Sequence, residues 1–227
     1  MRSRASWLFN TILLCTVSSA AQNALAASTT LEYKGFAYSS SGGTIYADLN
    51  PAKYGLESKS VVAGGFNMIE KSTGSSLIAW CVDVFHALNN KFEYTIGNSS
   101  QLNRADDLQK LVNQRYAEVT DKKTSTAFQL AIWEIVTDTG GGYSLANGTF
   151  KASGFGNAQA LAGDWLKLDG KTTGNYKINY FYDGIMNDKT IAQNLISISS
   201  VPLPGAAILM LSALGLGGLL HRRRRIA

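Results

Sequence analysis

Residues 75–85 read SSLIAWCVDVF, and the alternation inside this stretch decides how the chain folds. Successive side chains of an extended chain point to opposite faces. Leu77, Ala79, Cys81 and Phe85 therefore fall on one face with Asp83, and Ile78, Trp80, Val82 and Val84 on the other. Both faces are mostly apolar, so the strand needs cover on both sides and belongs in the middle of a sheet. Just upstream, residues 61–70 form another strand-like run, and Lys71-Ser72-Thr73-Gly74 between the two predicts a hairpin.

Further upstream, 30–38 (TLEYKGFAY) and 44–49 (TIYADL) are β-branched and aromatic runs. The Ser/Gly turn at 39–43 between them predicts a second hairpin, and Asn50-Pro51 ends it. Downstream, 91–96 (KFEYTI) reads as a strand ended by Gly97-Asn98. The period then changes. Leu108, Leu111, Val112 and Tyr116 predict a helix over 102–119, and Ala127, Leu130, Ala131 and Ile135 one over 126–137, split at 120–125. Gly140-Gly141-Gly142 stops the second helix, and a Gly/Ser/Asn-rich segment follows with room for one short strand pair. A third helix is expected over 157–168 with Ala158, Leu161, Ala162 and Trp165 on one side, then strands at 177–182 and 194–199. The expected class is α+β: a β-rich barrel or sandwich of seven or eight strands with about three helices in the middle.

The two ends carry a different signature. Arg2 and Arg4, an apolar stretch over 7–17 and Ala24-Leu25-Ala26 make residues 1–26 a secretory signal peptide, which takes Cys15 with it. The last segment, 201–227, reads VPLPGAAILMLSALGLGGLLHRRRRIA. Its apolar run, with the residues leading into it, is about 20 residues, enough for one C-terminal transmembrane helix across roughly 30 Å of hydrocarbon. Arg222, Arg223, Arg224 and Arg225 hold that end on the cytoplasmic side, leaving residues 27–200 outside. The chain has 21 basic and 16 acidic residues, a net charge of +5, but six basic residues and no acidic ones lie in the two ends. The middle therefore carries 15 against 16, a net of −1, which removes the case for a nucleic-acid partner.

Val201-Pro202-Leu203-Pro204, a Leu/Ala/Gly-rich span and an arginine block, in that order, resemble the VPLP variant of the PEP-CTERM sorting signal of Gram-negative surface proteins, with Gly205 where that variant most often has Ala. The resemblance implies passage through the secretion machinery, temporary retention in the membrane, and cleavage near the prolines by an exosortase, a membrane-embedded cysteine transpeptidase-like enzyme. The product would reside at the cell surface or in the biofilm matrix. A plain C-terminal anchor is the alternative, but it has no need of two prolines where its span begins.

Three domains follow: 1–26 signal peptide, 27–200 ectodomain, 201–227 sorting signal. The ectodomain keeps one cysteine, Cys81, and exported proteins usually pair theirs. Trp80-Cys81-Val82-Asp83 and, 48 residues beyond the cysteine, Gln129-Leu130-Ala131-Ile132-Trp133 resemble the paired motifs of bacterial thioester domains found on Gram-positive adhesins. Val82 stands for the family's Ile, and Phe128 for the Thr that most often precedes the Gln. The resemblance implies that Cys81 and Gln129 condense with loss of ammonia into an internal thioester that acylates a surface amine or hydroxyl, flanked by Trp80, Asp83 and Trp133. Taken from the residues alone, such an acyl donor must be kept dry until its target arrives, and Trp80 and Trp133 are the available shield.

Plainer readings of the same residues exist. A free cysteine often packs as a small hydrophobe, and Thr126-x-x-Gln129 also has the spacing of a helix capping box. His86 would serve acyl transfer as a base only if the chain bends, since along an extended strand it lies roughly 17 Å from Cys81. Asp106/Asp107 and Asp164/Asp169 read as helix-end and solvated carboxylates rather than a glycosidase pair. Gly140–Gly142 lacks the context of a phosphate cradle. No metal-ligand spacing, cofactor motif or catalytic set emerges, so no enzyme, metal or cofactor is expected. The alternative function is non-covalent: a matrix or exopolysaccharide-associated structural protein with an inert, buried Cys81.

Overall fold

The computed structural model describes residues 27–47, 57–84, 86–88, 91–168, 170, 174–186 and 190–201. The expected signal peptide and, beyond Val201, the expected sorting signal with Pro202, Leu203, Pro204, the expected transmembrane span and Arg222–Arg225 lie outside the described residues. Among the described residues no helix is long and apolar enough to cross a membrane.

Among the described residues there are ten strands and three α-helices: β1 (Ser28–Phe36), β2 (Ser41–Ala47), β3 (Glu57–Ala63), β4 (Phe66–Glu70), β5 (Ser76–Cys81), β6 (Lys91–Asn98), α1 (Ala105–Arg115), α2 (Lys122–Thr137), β7 (Phe150–Ser153), α3 (Asn157–Trp165), β8 (Tyr176–Met186), β9 (Thr190–Ile191) and β10 (Leu195–Ser200). The expected α+β, β-rich class is what the chain adopts. Six strands close into an antiparallel barrel in the order β1-β4-β5-β10-β8-β6 and back to β1. Closure leaves those six strands no free edge. β9 pairs with the far end of β8, and β3-β2-β7 form a separate small sheet.

Register fixes which side chains fill the barrel, because directly paired residues share a face. Leu31 opposes Phe92, Tyr33 opposes Met68, Phe66 opposes Ala79, and Leu195 opposes both Cys81 and Phe181. This set lies inside. The other face of β5 and β10, with Trp80 opposite Ile196, turns outward and is covered by helices: the Trp80 ring meets Phe128 of α2 edge-on at 4.9 Å. Phe128 in turn touches Tyr116 and Trp165. The reading of 75–85 as a central strand holds, although β5 stops at Cys81.

α2 is the second organising element. Every residue from Ser125 to Ile135 is buried, so the helix is enclosed all round, running between the barrel and the small sheet. Asp121 caps it, accepting from the Thr124 amide, while the Thr124 hydroxyl accepts from the Asp121 amide. The helix thus begins four residues before the expected start at 126. α1 and α3 end within a few residues of the expected limits, with a single 3-10 turn, Tyr116–Glu118, after α1.

Two expectations about strand pairing fail. β1 and β2 do not form a hairpin: β1 pairs with β4 and β6, and β2 with β3 and β7. The run 61–70 is also not one strand but two, β3 and β4, which belong to different sheets. The cause of the break is Gly64-Gly65, where the chain crosses under neighbours too close for a side chain. A Cβ on Gly64 would sit 3.0 Å from the Ser39 carbonyl oxygen, and one on Gly65 2.8 Å from the Trp80 ring. The hairpin between β4 and β5 forms as expected, with Gly74 at φ +72° and its amide donating to the Glu70 carbonyl.

Candidate functional site

α2 begins against one end of the barrel, and its polar side chains complete the backbone there. β5 pairs with β4 only up to Ala79, so the N–H and C=O of Cys81 that face β4 have no strand partner. Gln129 fills that place. Its Oε1 accepts from the Cys81 amide at 3.0 Å, and its Nε2 donates to the Cys81 carbonyl at 2.7 Å. On the other edge the ladder continues, with the Val82 amide donating to the Asn194 carbonyl at 3.0 Å. Two residues at the start of α2 act in the same way on the crossing chain: Ser125 Oγ accepts from the Gly65 amide at 3.0 Å, and Thr126 Oγ1 donates to the Ala63 carbonyl at 3.2 Å. Ser125, Thr126 and Gln129 are completely buried. A buried peptide group left without a partner is expensive, which explains three polar residues on an otherwise apolar helix face.

The capping-box reading of Thr126-x-x-Gln129 is therefore overturned. Asp121 is the cap, and Gln129, in the third turn of α2, serves the barrel instead of its own helix.

The thiol is as enclosed as the amide. Cys81 has no accessible surface, and its Sγ donates to the Asp83 carbonyl at 2.9 Å while accepting from the Asp83 amide at 3.3 Å. Burial pushes its pKa up to about 12. The neighbouring Trp133 indole and the Asp83 backbone oppose that rise, although the indole N–H meets hydrogen-bond geometry with no group among the described residues. At neutral pH the group is a thiol, not a thiolate.

The structure brings together four of the five expected site residues: Cys81, Gln129, Asp83 and Trp133. It does not place Trp80 over the sulfur. Neighbouring residues of a strand face opposite ways, so Trp80 turns outward against Phe128 while Cys81 turns into the barrel. Phe128 packs with Trp80 in the helical layer. His86 is closer than an extended chain would put it: β5 ends at Cys81, the chain bends, and His86 Nδ1 lies 2.6 Å from Asp83 Oδ2.

Among the other sequence candidates, Asp106 and Asp107 occupy the first turn of α1, and Asp164 pairs with Lys167 at the surface. Asp169 lies outside the described residues. The Gly140 amide donates to Asp138, its own chain's carboxylate. Among the described residues no group of three or more His, Cys, Asp or Glu side chains could hold a metal. Val201, the first residue of the expected sorting motif, is 39 % exposed, and its amide donates to the Asn175 carbonyl at 3.0 Å. Sequence reasoning missed Ser125 and Thr126; the one available signal was a Ser-Thr pair entering an apolar helix. No protein-family model matches the chain, and comparison with curated proteins finds no relative.

Proposed function

We propose that the chain is an exported surface protein in which Cys81 and Gln129 form an internal thioester that attaches the domain to a surface amine or hydroxyl. The observation that carries this reading is the double hydrogen bond that fixes the Gln129 amide to the backbone of the very residue bearing the thiol. In the condensation, Sγ attacks the Gln129 amide carbon, an S–C bond forms, and the C–N bond breaks. The nitrogen leaves as ammonia, taking the thiol proton. The Cys81 N–H already donates to the carbonyl oxygen that would carry negative charge in the tetrahedral intermediate, which is the placement an oxyanion donor needs. Full burial keeps water from the acyl carbon. An acceptor amine or hydroxyl would then take the acyl group, and Cys81 would recover its proton.

Sorting by an exosortase belongs to the same proposal. It is supported by the position of Val201, exposed and directly after the last barrel strand, so that cleavage near the prolines would spare the folded domain.

The test is an intact-mass measurement on protein recovered from a producing cell. The expected mass is that of a chain starting after Ala26, lacking the arginine tail and short by one ammonia. Cys81→Ala should show the full mass of its own substituted sequence, with no ammonia missing. A full-mass ectodomain whose thiol titrates freely under native conditions would sink the thioester. The second reading, a non-covalent matrix-associated protein, is favoured by the same geometry read differently. A glutamine satisfied at both ends and a protonated thiol bonded to the Asp83 backbone would also suit an inert clamp. It expects Cys81→Ala to leave matrix association unchanged.

A further inference from the structure

The inner end of α2 holds two buried carboxyl groups for which neither the clamp nor the thioester has any use. Glu134 has no accessible surface and Asp138, one turn later, only 1 %. Each is satisfied on one oxygen. Glu134 Oε1 accepts from the Ser144 amide at 2.6 Å, and Asp138 Oδ1 accepts from the Gly140 amide at 2.6 Å and the Thr149 hydroxyl at 2.9 Å. The remaining oxygens, Glu134 Oε2 and Asp138 Oδ2, are buried with no donor to serve them among the described residues. The two residues stand four apart at the end of α2, the spacing at which side chains are neighbours, and the electrostatics of Glu134 include a hydrogen bond with Asp138. Two carboxylate oxygens cannot satisfy one another, whereas one proton between them satisfies both.

Through these two side chains α2 holds the segment 139–149 that leads into β7. Arg104, at the head of α1, is the cation whose charge reaches both carboxyls, but its hydrogen bond goes to the Gly140 carbonyl and its guanidinium lies 5.1 Å over the Tyr143 ring. Tyr143 donates to Asp107, which also pairs with Lys110. The other elements against α2 bring Lys151 on β7, Asp164 on α3, Lys59 on β3 and Cys81 on β5, and neither carboxyl bonds to any of them among the described residues.

We infer that Glu134 and Asp138 share one proton, and that this proton is a latch that keeps the segment 139–149 docked on α2 and releases it when it is lost. The electrostatics agree with the geometry. Burial, then the charge and hydrogen bond of Asp138, raise the Glu134 pKa from 4.5 to about 7. Burial also raises the Asp138 carboxyl, but the Gly140 amide, the Thr149 hydroxyl and amide, and Arg104 together bring it below its ordinary value. The proton therefore sits on Glu134. A raised carboxyl pKa means the bond is fully present below the ordinary glutamate range and is lost as pH rises through about 7. Above that, two adjacent charges drive the carboxylates apart. Glu134 lies within the enclosed part of α2, so the loop side gives way. The latch does not depend on whether a thioester forms.

The test is amide hydrogen exchange of Gly140, Ser144 and Thr149 in the wild-type ectodomain, corrected for intrinsic pH dependence, with the Glu134 carboxyl carbon followed by NMR. Loop opening should rise by roughly tenfold per pH unit from the ordinary glutamate value of 4.5 up to about 7, and level off above it as that carbon completes its titration. Glu134→Gln should abolish the pH dependence and keep the loop shut, since its amide oxygen can accept from Ser144 and its nitrogen can donate to Asp138. Titration of Glu134 near the ordinary glutamate value overturns the proposal. So does pH-indifferent exchange in the wild type, or opening of Glu134→Gln at high pH. Protection restored at high pH by millimolar calcium also overturns it, in favour of a cation site.

Discussion

At the scale of single residues, Gln129 performs two tasks that mutation separates. Gln129→Ala strips both partners from the buried Cys81 peptide group, and two unsatisfied backbone groups at about 1–3 kcal/mol each predict a loss of about 2–6 kcal/mol in chemical denaturation. Gln129→Glu keeps an acceptor for the Cys81 amide but cannot donate to its carbonyl unless protonated. It should therefore be less stable at neutral pH than at acid pH, the opposite of what an exposed carboxylate would give. Cys81→Ala removes a buried sulfur without touching the backbone pair, so its stability cost should stay below that of Gln129→Ala. The candidate pair was legible from its flanking residues. What the sequence could not show is that the glutamine amide reaches the cysteine backbone, because that depends on β4 and β5 parting company after Ala79.

Between elements, the decisive contact is Gly65 under Trp80. Gly65→Ala places a methyl 2.8 Å from the indole, and over-packing of this kind costs about 1–3 kcal/mol. Because Ser125 bonds to the Gly65 amide, the displaced chain should also loosen the start of α2, which faster exchange of the Ser125–Gln129 amides would reveal. The same glycines explain why the strand content was easier to read than its pairing. Alternation along 75–85 is a property of that stretch alone, whereas the split of 61–70 between two sheets depends on an indole from elsewhere occupying the space of a Cβ. Likewise the Ser/Gly turn at 39–43 has hairpin chemistry, yet β1 finds better partners in β4 and β6, whose inward residues complete the barrel. α2 was misjudged at its start because Lys122, Lys123 and Thr124 add no apolar period, and only the reciprocal bonds of Asp121 and Thr124 mark the true beginning.

For the whole molecule, closure of the barrel rests on its last strand. β10 is the stave between β5 and β8, paired with both, and it inserts Leu195 opposite Cys81. A chain ended after Val201 should therefore unfold cooperatively, while one ended at Asn194 should lose the barrel and expose apolar surface, measurable as loss of the thermal transition. β10 also leads directly from the Cys81 end of the barrel to Val201, where the proposed sorting motif begins. Were the domain held at Val201 and bonded to a target through Gln129, any tension between cell and target would run along the length of β10. The ladder bonds to β5 and β8 would then be strained side by side, in shear, rather than opened one at a time. Resistance to flow would become a question of how slowly that stave slides, a rate rather than an equilibrium.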